Sequence, residues 1–404
     1  MNLLGKKVKN RYMSRNPKFD YLPDQDRYFS YREQPSYKFN IIGCGNIGRE
    51  HMKVTMMEER ATIYGVYDQN PSSIEEAERL FSTLSDHSLV KYDSLQAACH
   101  DPEADGLIIC TPNYTHIDVI REAVKSGKHI LLEKPMATTL RDAYEIMQLA
   151  KDYESVFQIG LQYRYKAIYA ESIHETLERK AIGDVKTISM TEHRIPFLDK
   201  VNQWNKFSKY SGGTLVEKCC HYFDLMNLFA QSKPVQVYAS GNMAVNFTDF
   251  TYNNEQADII DNAFVTVIYE NDVRANFNLC MFSPTFYEEL VICGDKGRLK
   301  ASENEDFLSA KRPRNHLEIL CGEEKPSRLM TPAYPDHIET SGHGGATYYE
   351  HVYFIDNIEN KQTTTATVED GLWSVLVGLA AEQSIKLGKA VMIEEILKES
   401  QVTI

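Results

Sequence analysis

The chain runs to 404 residues, 43% hydrophobic and 25% charged, with 57 acidic against 44 basic side chains and a formal net charge of −13. That length is long for one core and suits two domains, while the acidic balance argues against general nucleic-acid binding. No apolar run approaches the roughly 20 residues that span a bilayer, which argues against a membrane protein. The Leu3-Leu4 pair before GKKVKN is far too short for a signal-peptide core. The eight cysteines show no repeated CxxC spacing and no partnering His cluster, which predicts no metal site and reduced thiols in a cytoplasmic protein.

Residues 1–36 read as a basic N-terminal arm, with Lys6, Lys7, Lys9, Arg11, Arg15 and Lys18 close together. Such a segment touches nucleic acid or anionic lipid, stays a solvated tail, or lies across a sister subunit. Tyr21, Tyr28, Phe29 and Tyr31 favour the packed arm. From Tyr37 strands and helices alternate. KFNIIGCG reads as a buried strand, GREHMKVTMMEE as a helix, ATIYGVYD as a second strand, and SSIEEAERLF as a helix capped by Ser73. DGLIICTP is near-continuously apolar, as a strand covered on both faces is. THIDVIREAVKSG is a helix stopped at Gly127, HILLEKP a further strand, and TLRDAYEIMQLAKDY a further helix. This alternation predicts an α/β domain over 37–155, a doubly wound parallel sheet with right-handed crossovers.

Over 156–404 the pattern changes to α+β. QIGLQYRYK, DVKTISMTEHRI, PVQVYASGNMAV, NAFVTVIYEN, VRANFNLCMF and EELVICGDKGRLKA read as half-exposed strands. Short turns such as ENDV and GDKG join consecutive ones, the mark of a mainly antiparallel sheet. One helix, GGTLVEKCCHYFDLMNLFA, is inserted among them. A final helix, LWSVLVGLAAEQSIKLG, closes the chain and is placed to pack back on the first domain.

GCGNIG, between a strand and a helix, satisfies G-x-G-x-x-G in the context that gives the motif meaning. Gly43 permits the tight turn, Gly45 lets a pyrophosphate reach the backbone, and Gly48 allows close helix–strand packing. Asn46 and Ile47 open the helix, whose N-terminus offers free N–H groups and partial positive charge to phosphates. Asp68 stands about 20 residues past the last glycine at the end of the second strand, where a carboxylate accepts from both ribose hydroxyls. It repels a 2′-phosphate, and no Arg follows it, so NAD is favoured over NADP. The plainer alternative makes Asp68 a turn former in DQNP.

CTPNYTH, the tripeptide Glu133-Lys134-Pro135, and GGTLVEKCCHYFDL follow in that order. With the glycine motif, they resemble the glucose-fructose oxidoreductase / inositol dehydrogenase / rhizopine-catabolism (Gfo/Idh/MocA) family, from about Tyr37 to Lys389. The resemblance implies a nucleotide-binding Rossmann domain, an open-faced sheet domain that mediates homodimers or homotetramers, and hydride transfer between nicotinamide and a carbinol carbon of a carbohydrate or polyol. Lys134 matches the lysine that hydrogen-bonds the reacting hydroxyl, beside Glu133 and Pro135, which in the family often follows a cis bond. Thr111, Pro112, Asn113 and His116 match the loop beside the nicotinamide ribose. His221 matches the catalytic histidine, with a reference pKa of about 6.5 suited to a base. Glu217 stands where the family often has Asp, and Lys218 replaces a commoner small residue, which suggests different substrate contacts.

Other readings stay open beside these. Thr214 and Glu217 fit a capping box, and a lone helical His such as His221 is often structural. Gln162 and Arg164 lie near the domain junction, where Arg164 binds a substrate hydroxyl or carboxylate or forms a salt bridge. Trp204 stacks on a sugar face or is simply buried, and His343, in a loop-like glycine setting, projects into the site or does not. The implied function is an NAD-dependent oxidoreductase acting on a secondary alcohol of a sugar, sugar derivative or cyclitol. Two alternatives are an NAD-recycling lyase or hydrolase working through a keto intermediate, and a non-catalytic sugar- or NAD-sensing regulator. Only Arg164, Arg194 and Lys218 hint at an anionic substrate.

Overall fold

The computed structural model describes residues 35–305, 314–323, 325–360 and 365–403, so almost all of the basic arm lies outside the described residues. The first domain runs β1 (Tyr37–Ile42), α1 (Asn46–Glu58), β2 (Ala61–Tyr67), α2 (Pro71–Phe81), β3 (Val90–Lys91), α3 (Leu95–His100), β4 (Gly106–Ile109), α4 (His116–Ala123), β5 (His129–Glu133), α5 (Leu140–Ala150) and β6 (Phe157–Gly160). Its six strands lie in the order β3-β2-β1-β4-β5-β6, and every pairing is parallel. All four residues of β4 are buried, as a central strand with helices on both faces requires.

Two sequence expectations are corrected here. Phe157–Gly160 belongs to the first sheet, not the second, because it pairs in parallel with β5; the first domain therefore extends past residue 155. The cap of α2 is Asn70, whose side chain accepts from the Ser72 N–H, rather than Ser73.

The second domain contains α6 (Ala167–Ile173), β7 (Val185–His193), α7 (Ser208–Ser211), α8 (Thr214–Glu217), α9 (Cys220–Ala230) and β8 (Pro234–Asn242). A small hairpin of β9 (Thr251–Tyr252) and β10 (Glu255–Gln256) follows. Next come β11 (Asn262–Tyr269), β12 (Arg274–Cys280), β13 (Phe286–Gly294), β14 (Arg298–Glu305), β15 (Arg314–Leu320) and β16 (Arg328–Met330). The chain continues through α10 (Asp336–Glu339), α11 (Ala346–Ile358), α12 (Val368–Leu387), β17 (Val391–Met392) and α13 (Ile393–Glu399). The nine-stranded sheet has the order β16-β15-β14-β13-β7-β12-β11-β8-β17. Its pairings are antiparallel except for β7 with β12. Burial alternates along β11 and β12: Val265, Val267 and Phe277 enter the core, while Phe264 is 66% exposed on the open face.

GGTLVEKCCHYFDLMNLFA forms two helices, α8 and α9, rather than one, with the break at Lys218 and Cys219. GHGGATYYEH is loop-like only at its start, since α11 begins at Ala346. Nor does α12 close the chain, because β17 and α13 follow it. It does, however, reach the first domain. Leu372 and Val375 sit in the core between α4, α5 and the parallel sheet, whereas Leu376, Val377, Ala380 and Ala381 sit in the second-domain core. Gly378 lets its backbone approach α8: an added Cβ would stand 2.8 Å from the Leu215 carbonyl oxygen. A helix apolar on nearly all sides is one that is buried, and this one couples the two domains. A capping box of Thr367 and Asp370 starts it, and Gly388 in the left-handed region ends it. Among the described residues no helix is long and apolar enough to cross a membrane, and all eight cysteines are free.

Candidate functional site

The glycine turn has the geometry of a phosphate cradle. Gly43 adopts φ +98°, and a Cβ there would lie 2.6 Å from the Cys110 carbonyl carbon. At Gly48 a Cβ would lie 2.0 Å from the Gly43 carbonyl oxygen, whereas at Gly45 it would meet nothing within 4 Å. The turn is thus crowded on its inner side and open at Gly45. No side chain caps the start of α1, so its N–H groups are left for a ligand. Asn46 is exposed beside it, with Oδ1 accepting from Arg49 at 2.7 Å, and Ile47 is half-buried. Asp68 closes the turn from β2: Oδ2 accepts from the Cys44 N–H at 2.7 Å and Oδ1 from the Asn70 N–H at 2.8 Å. It therefore makes the turn contact of the plainer reading while holding its carboxylate at the glycines.

The loop after β4 lies next along the parallel sheet. Thr111 accepts from Thr115 at 2.9 Å, the Pro112 carbonyl accepts from the Thr115 N–H at 2.8 Å, and the Asn113 side-chain Nδ2 is buried with no protein partner. Both amide atoms of buried Gln162 are likewise unpartnered. Buried amides without partners are uncommon; with the open position at Gly45, they suit a chain built around a polar ligand such as a dinucleotide. His116 is buried, and its two ring nitrogens face the Pro135 and Thr111 carbonyls, each at 3.0 Å. Burial lowers its pKa, and a neutral ring donates to one of these two carbonyls, which holds it between the loops.

Glu133, expected from the sequence among the cofactor contacts, is engaged with the protein on both carboxylate oxygens. Its Oε1 pairs with His51 Nε2 at 2.9 Å and its Oε2 accepts from the Lys134 N–H at 3.0 Å, so it braces the turn from below. His51 continues to His351 at 2.7 Å. Among the described residues His51, Glu133 and Glu350 bring one ligand atom each within 4.8 Å of one another. Burial and the charges of Glu133 and Glu50 push the Glu350 carboxyl well above the usual range.

Lys134 follows β5 through a cis bond to Pro135 and donates to the Glu217 carbonyl, at the end of α8, at 3.3 Å. Burial works against its charge, but the Glu217 carboxylate outweighs it and holds the ammonium above the ordinary lysine value. Conversely, burial opposes ionisation of Glu217, while Lys200 and Lys134 pull its pKa down to about 2. Lys200 Nζ sits 2.9 Å from Glu217 Oε1. The capping-box reading of Glu217 does not hold, since Thr214 donates instead to the Ile260 carbonyl at 2.6 Å and no side chain caps α8. His221, in the first turn of α9, stacks on Tyr163 with centroids 4.0 Å apart and planes 7° from parallel. Its Nδ1 is buried without a partner. Burial, then the charges of Lys134 and Lys218, hold its pKa well below the ordinary imidazole value.

The remaining expected substrate contacts divide. Arg164 is buried and committed to Asp224 through Nε and Nη2, at 2.7 and 2.5 Å, with Asp370 at 3.2 Å; this is the salt-bridge alternative. Lys218 is also buried, bonded to the Tyr163 hydroxyl at 2.8 Å and Glu192 at 3.1 Å, and is not free for a substrate. Trp204 is 7% exposed, and the Lys200 ammonium lies 4.4 Å from its ring centroid. His343 is 33% exposed, with Nδ1 2.7 Å from Glu50.

Lys200, Tyr163 and Glu192 were not singled out from the sequence. Lys200 had one available signal. It lies in the long connection between β7 and α7, whose only regular piece is the 3-10 helix Val201–Lys206, and long connections in compact domains tend to be functional.

A Rossmann domain with this turn, joined to an open-sheet domain where Lys134 meets the Glu217 carbonyl, is the architecture of a nicotinamide-dependent oxidoreductase. The chain belongs to the glucose-fructose oxidoreductase / inositol dehydrogenase / rhizopine-catabolism family. Residues 37–161 match the "Oxidoreductase family, NAD-binding Rossmann fold" model and residues 174–393 the "Oxidoreductase family, C-terminal alpha/beta domain" model. It is 27% identical to the uncharacterized oxidoreductase YrbE of Bacillus subtilis, over 88% of this chain and 96% of that one. It is 22% identical to the myo-inositol 2-dehydrogenase of Thermotoga maritima, over 89% and 99%. In fold it is similar to levoglucosan dehydrogenase solved with NADH, at a TM-score of 0.73 and 18% identity over 88% of this chain and 99% of that one.

Proposed function

We propose that this protein is an NAD-dependent dehydrogenase acting on a secondary alcohol of a sugar, sugar derivative or cyclitol. The observation that carries this reading is the approach of Lys134, from the first domain, to the Glu217–His221 segment of the second, at 3.3 Å from the Glu217 carbonyl. The dehydrogenases of inositol and levoglucosan among its relatives support the substrate class.

Gly43, Gly45 and Gly48 with the start of α1 would hold the pyrophosphate, Asp68 the adenosine ribose, and Thr111, Asn113 and Gln162 the nicotinamide half. When bound, the coenzyme supplies the acceptor for the hydrogen and electron pair that leave the carbinol carbon. The chain's own residues manage the proton and the charge. Neutral His221 takes the hydroxyl proton, while Lys134 donates to the same oxygen and stabilises the negative charge that develops on it. Glu217 keeps Lys134 protonated, and Tyr163 fixes the plane of the His221 ring. Purified protein incubated with NAD and a panel of cyclitols, hexoses and glycosides should form NADH with at least one class. No formation with any of them, by protein that binds NADH, would remove the reading.

Two further results are expected. His221 is needed neutral, and its pKa lies well below the ordinary 6.5. A base with a depressed pKa stays competent as pH falls until that low value is reached. The pH profile of kcat/KM for alcohol oxidation should therefore show no acid break near 6.5, only one at lower pH; a break near 6.5 would mean that another group is the base. Asp68→Ala should weaken NAD binding by at least about tenfold, the low-end value of one charge-assisted bond, and narrow the gap to NADP. An unchanged coenzyme preference, measured by calorimetry, would detach Asp68 from the ribose.

A further inference from the structure

Resting on that reading, we propose that the substrate carries a negative charge, as a carboxylate or phosphate on the sugar or cyclitol, and that Arg194 and Lys200 receive it. Both lie on the connection that leaves β7, and Lys200 reaches the Glu217 carboxylate at 2.9 Å. In the ion pair that each of them makes, the cationic end lies outward and the carboxylate inward. The Lys200 side chain is 35% exposed above Glu217 at 5%, and that of Arg194 is 19% exposed above Glu192 at 0%.

The pairing beneath is incomplete. Glu192 offers one oxygen, Oε1, to two cations, Lys218 at 3.1 Å and Arg194 at 3.5 Å. Lys218 has the closer contact and is buried with it. Arg194 is left with that bond at its limit and a bond from Nε to the Ile195 carbonyl at 3.0 Å. A guanidinium held on one side in this way has planar donors to offer a carboxylate or phosphate. Asp199, the exposed carboxylate of the same connection, is bonded to Lys206. Glu288 and Glu303 are buried around Lys166. Lys200 and Arg194 are thus part-exposed cations over the buried Glu217 and Glu192, with Asp199 as the exposed acid of the same connection. The chain as a whole carries −13, so an anion is drawn here by the local field and not by net charge.

The test uses the NADH-loaded protein and matched ligands in calorimetry: glucose against glucuronate and glucose 6-phosphate, and myo-inositol against an inositol monophosphate. At least one charged member should bind about ten- to a hundredfold more tightly than its neutral partner. The two charged forms separate carboxylate from phosphate recognition. The advantage should shrink as salt is raised, and it should fall to within about threefold in Arg194→Gln and in Lys200→Gln, both checked for retained NADH binding. Neutral members binding as tightly as charged ones would overturn the proposal. So would a charge preference that survives both substitutions. Tight binding of a charged member, with no turnover of any sugar or cyclitol tested, leaves the subsite standing and removes the dehydrogenase reading. Preferential turnover of neutral sugars does the reverse.

Discussion

His221→Ala and Lys134→Ala should each lower turnover by at least about a hundredfold, within the range of about 10² to 10⁴ for loss of a positioned proton-transfer group. NADH binding should persist in both, because the glycine turn, Asp68 and Asn113 lie on other segments. The two losses should differ in character. Without His221 the hydroxyl proton has no neutral base on that side of the cleft, and the Tyr163 ring loses its stacked partner at 4.0 Å. Without Lys134 the developing oxyanion loses its cation, and Glu217, whose pKa of about 2 depends on Lys200 first and Lys134 second, is left with the outer lysine. Lys134→Arg keeps the charge but not the compact ammonium, so it should recover little of the rate. Single-turnover measurements with saturating coenzyme check this. Turnover near wild type in both alanine variants would remove the mechanism while leaving the coenzyme site intact.

The second large effect is a contrast within the glycine turn. Gly48→Ala places a methyl 2.0 Å from the Gly43 carbonyl oxygen, a contact that backbone on both sides cannot absorb. The start of α1 must move, and with it the Cys44 N–H that Asp68 accepts at 2.7 Å. We expect a loss of stability at or above the ~1–3 kcal/mol of overpacking, together with loss of coenzyme binding. Gly45→Ala meets nothing within 4 Å, and its φ of −65° suits an L-residue. That variant should melt like wild type and yet bind coenzyme at least about tenfold more weakly, because its methyl fills the space left for the pyrophosphate. Thermal melts and calorimetry on the pair separate the two roles. A Gly45→Ala protein with full coenzyme affinity would place the phosphates elsewhere.

Sequence alone determined what local periodicity and local backbone demands encode. Alternating strands and helices from Tyr37 imply a parallel sheet, and three glycines between a strand and a helix imply a turn that something approaches closely. Half-exposed strands with short turns imply a sheet with one open face. Each of these is a property of a few neighbouring residues, and each appears in the fold. The ordered motifs around Lys134 and His221 identified the family, and family membership, not periodicity, brought those two residues forward together.

Only the tertiary structure decided which side chains are free. Lys134 and the Glu217 carbonyl meet across 83 positions, and Arg164 and Asp224 across 60, so no local pattern reveals whether a given cation is already partnered. Arg164 and Lys218 therefore looked like substrate contacts and are held by Asp224 and Glu192 instead, while Lys200, in an aperiodic connection, went unnoticed. The boundary after β5 was misplaced for a related reason. FQIG is too short to show which sheet it joins, and that choice follows from the backbone edge offered by β5. Burial and charge pairing depend on what the rest of the chain brings alongside a residue, and for that reason the chemistry of this cleft became legible only once the two domains were in place.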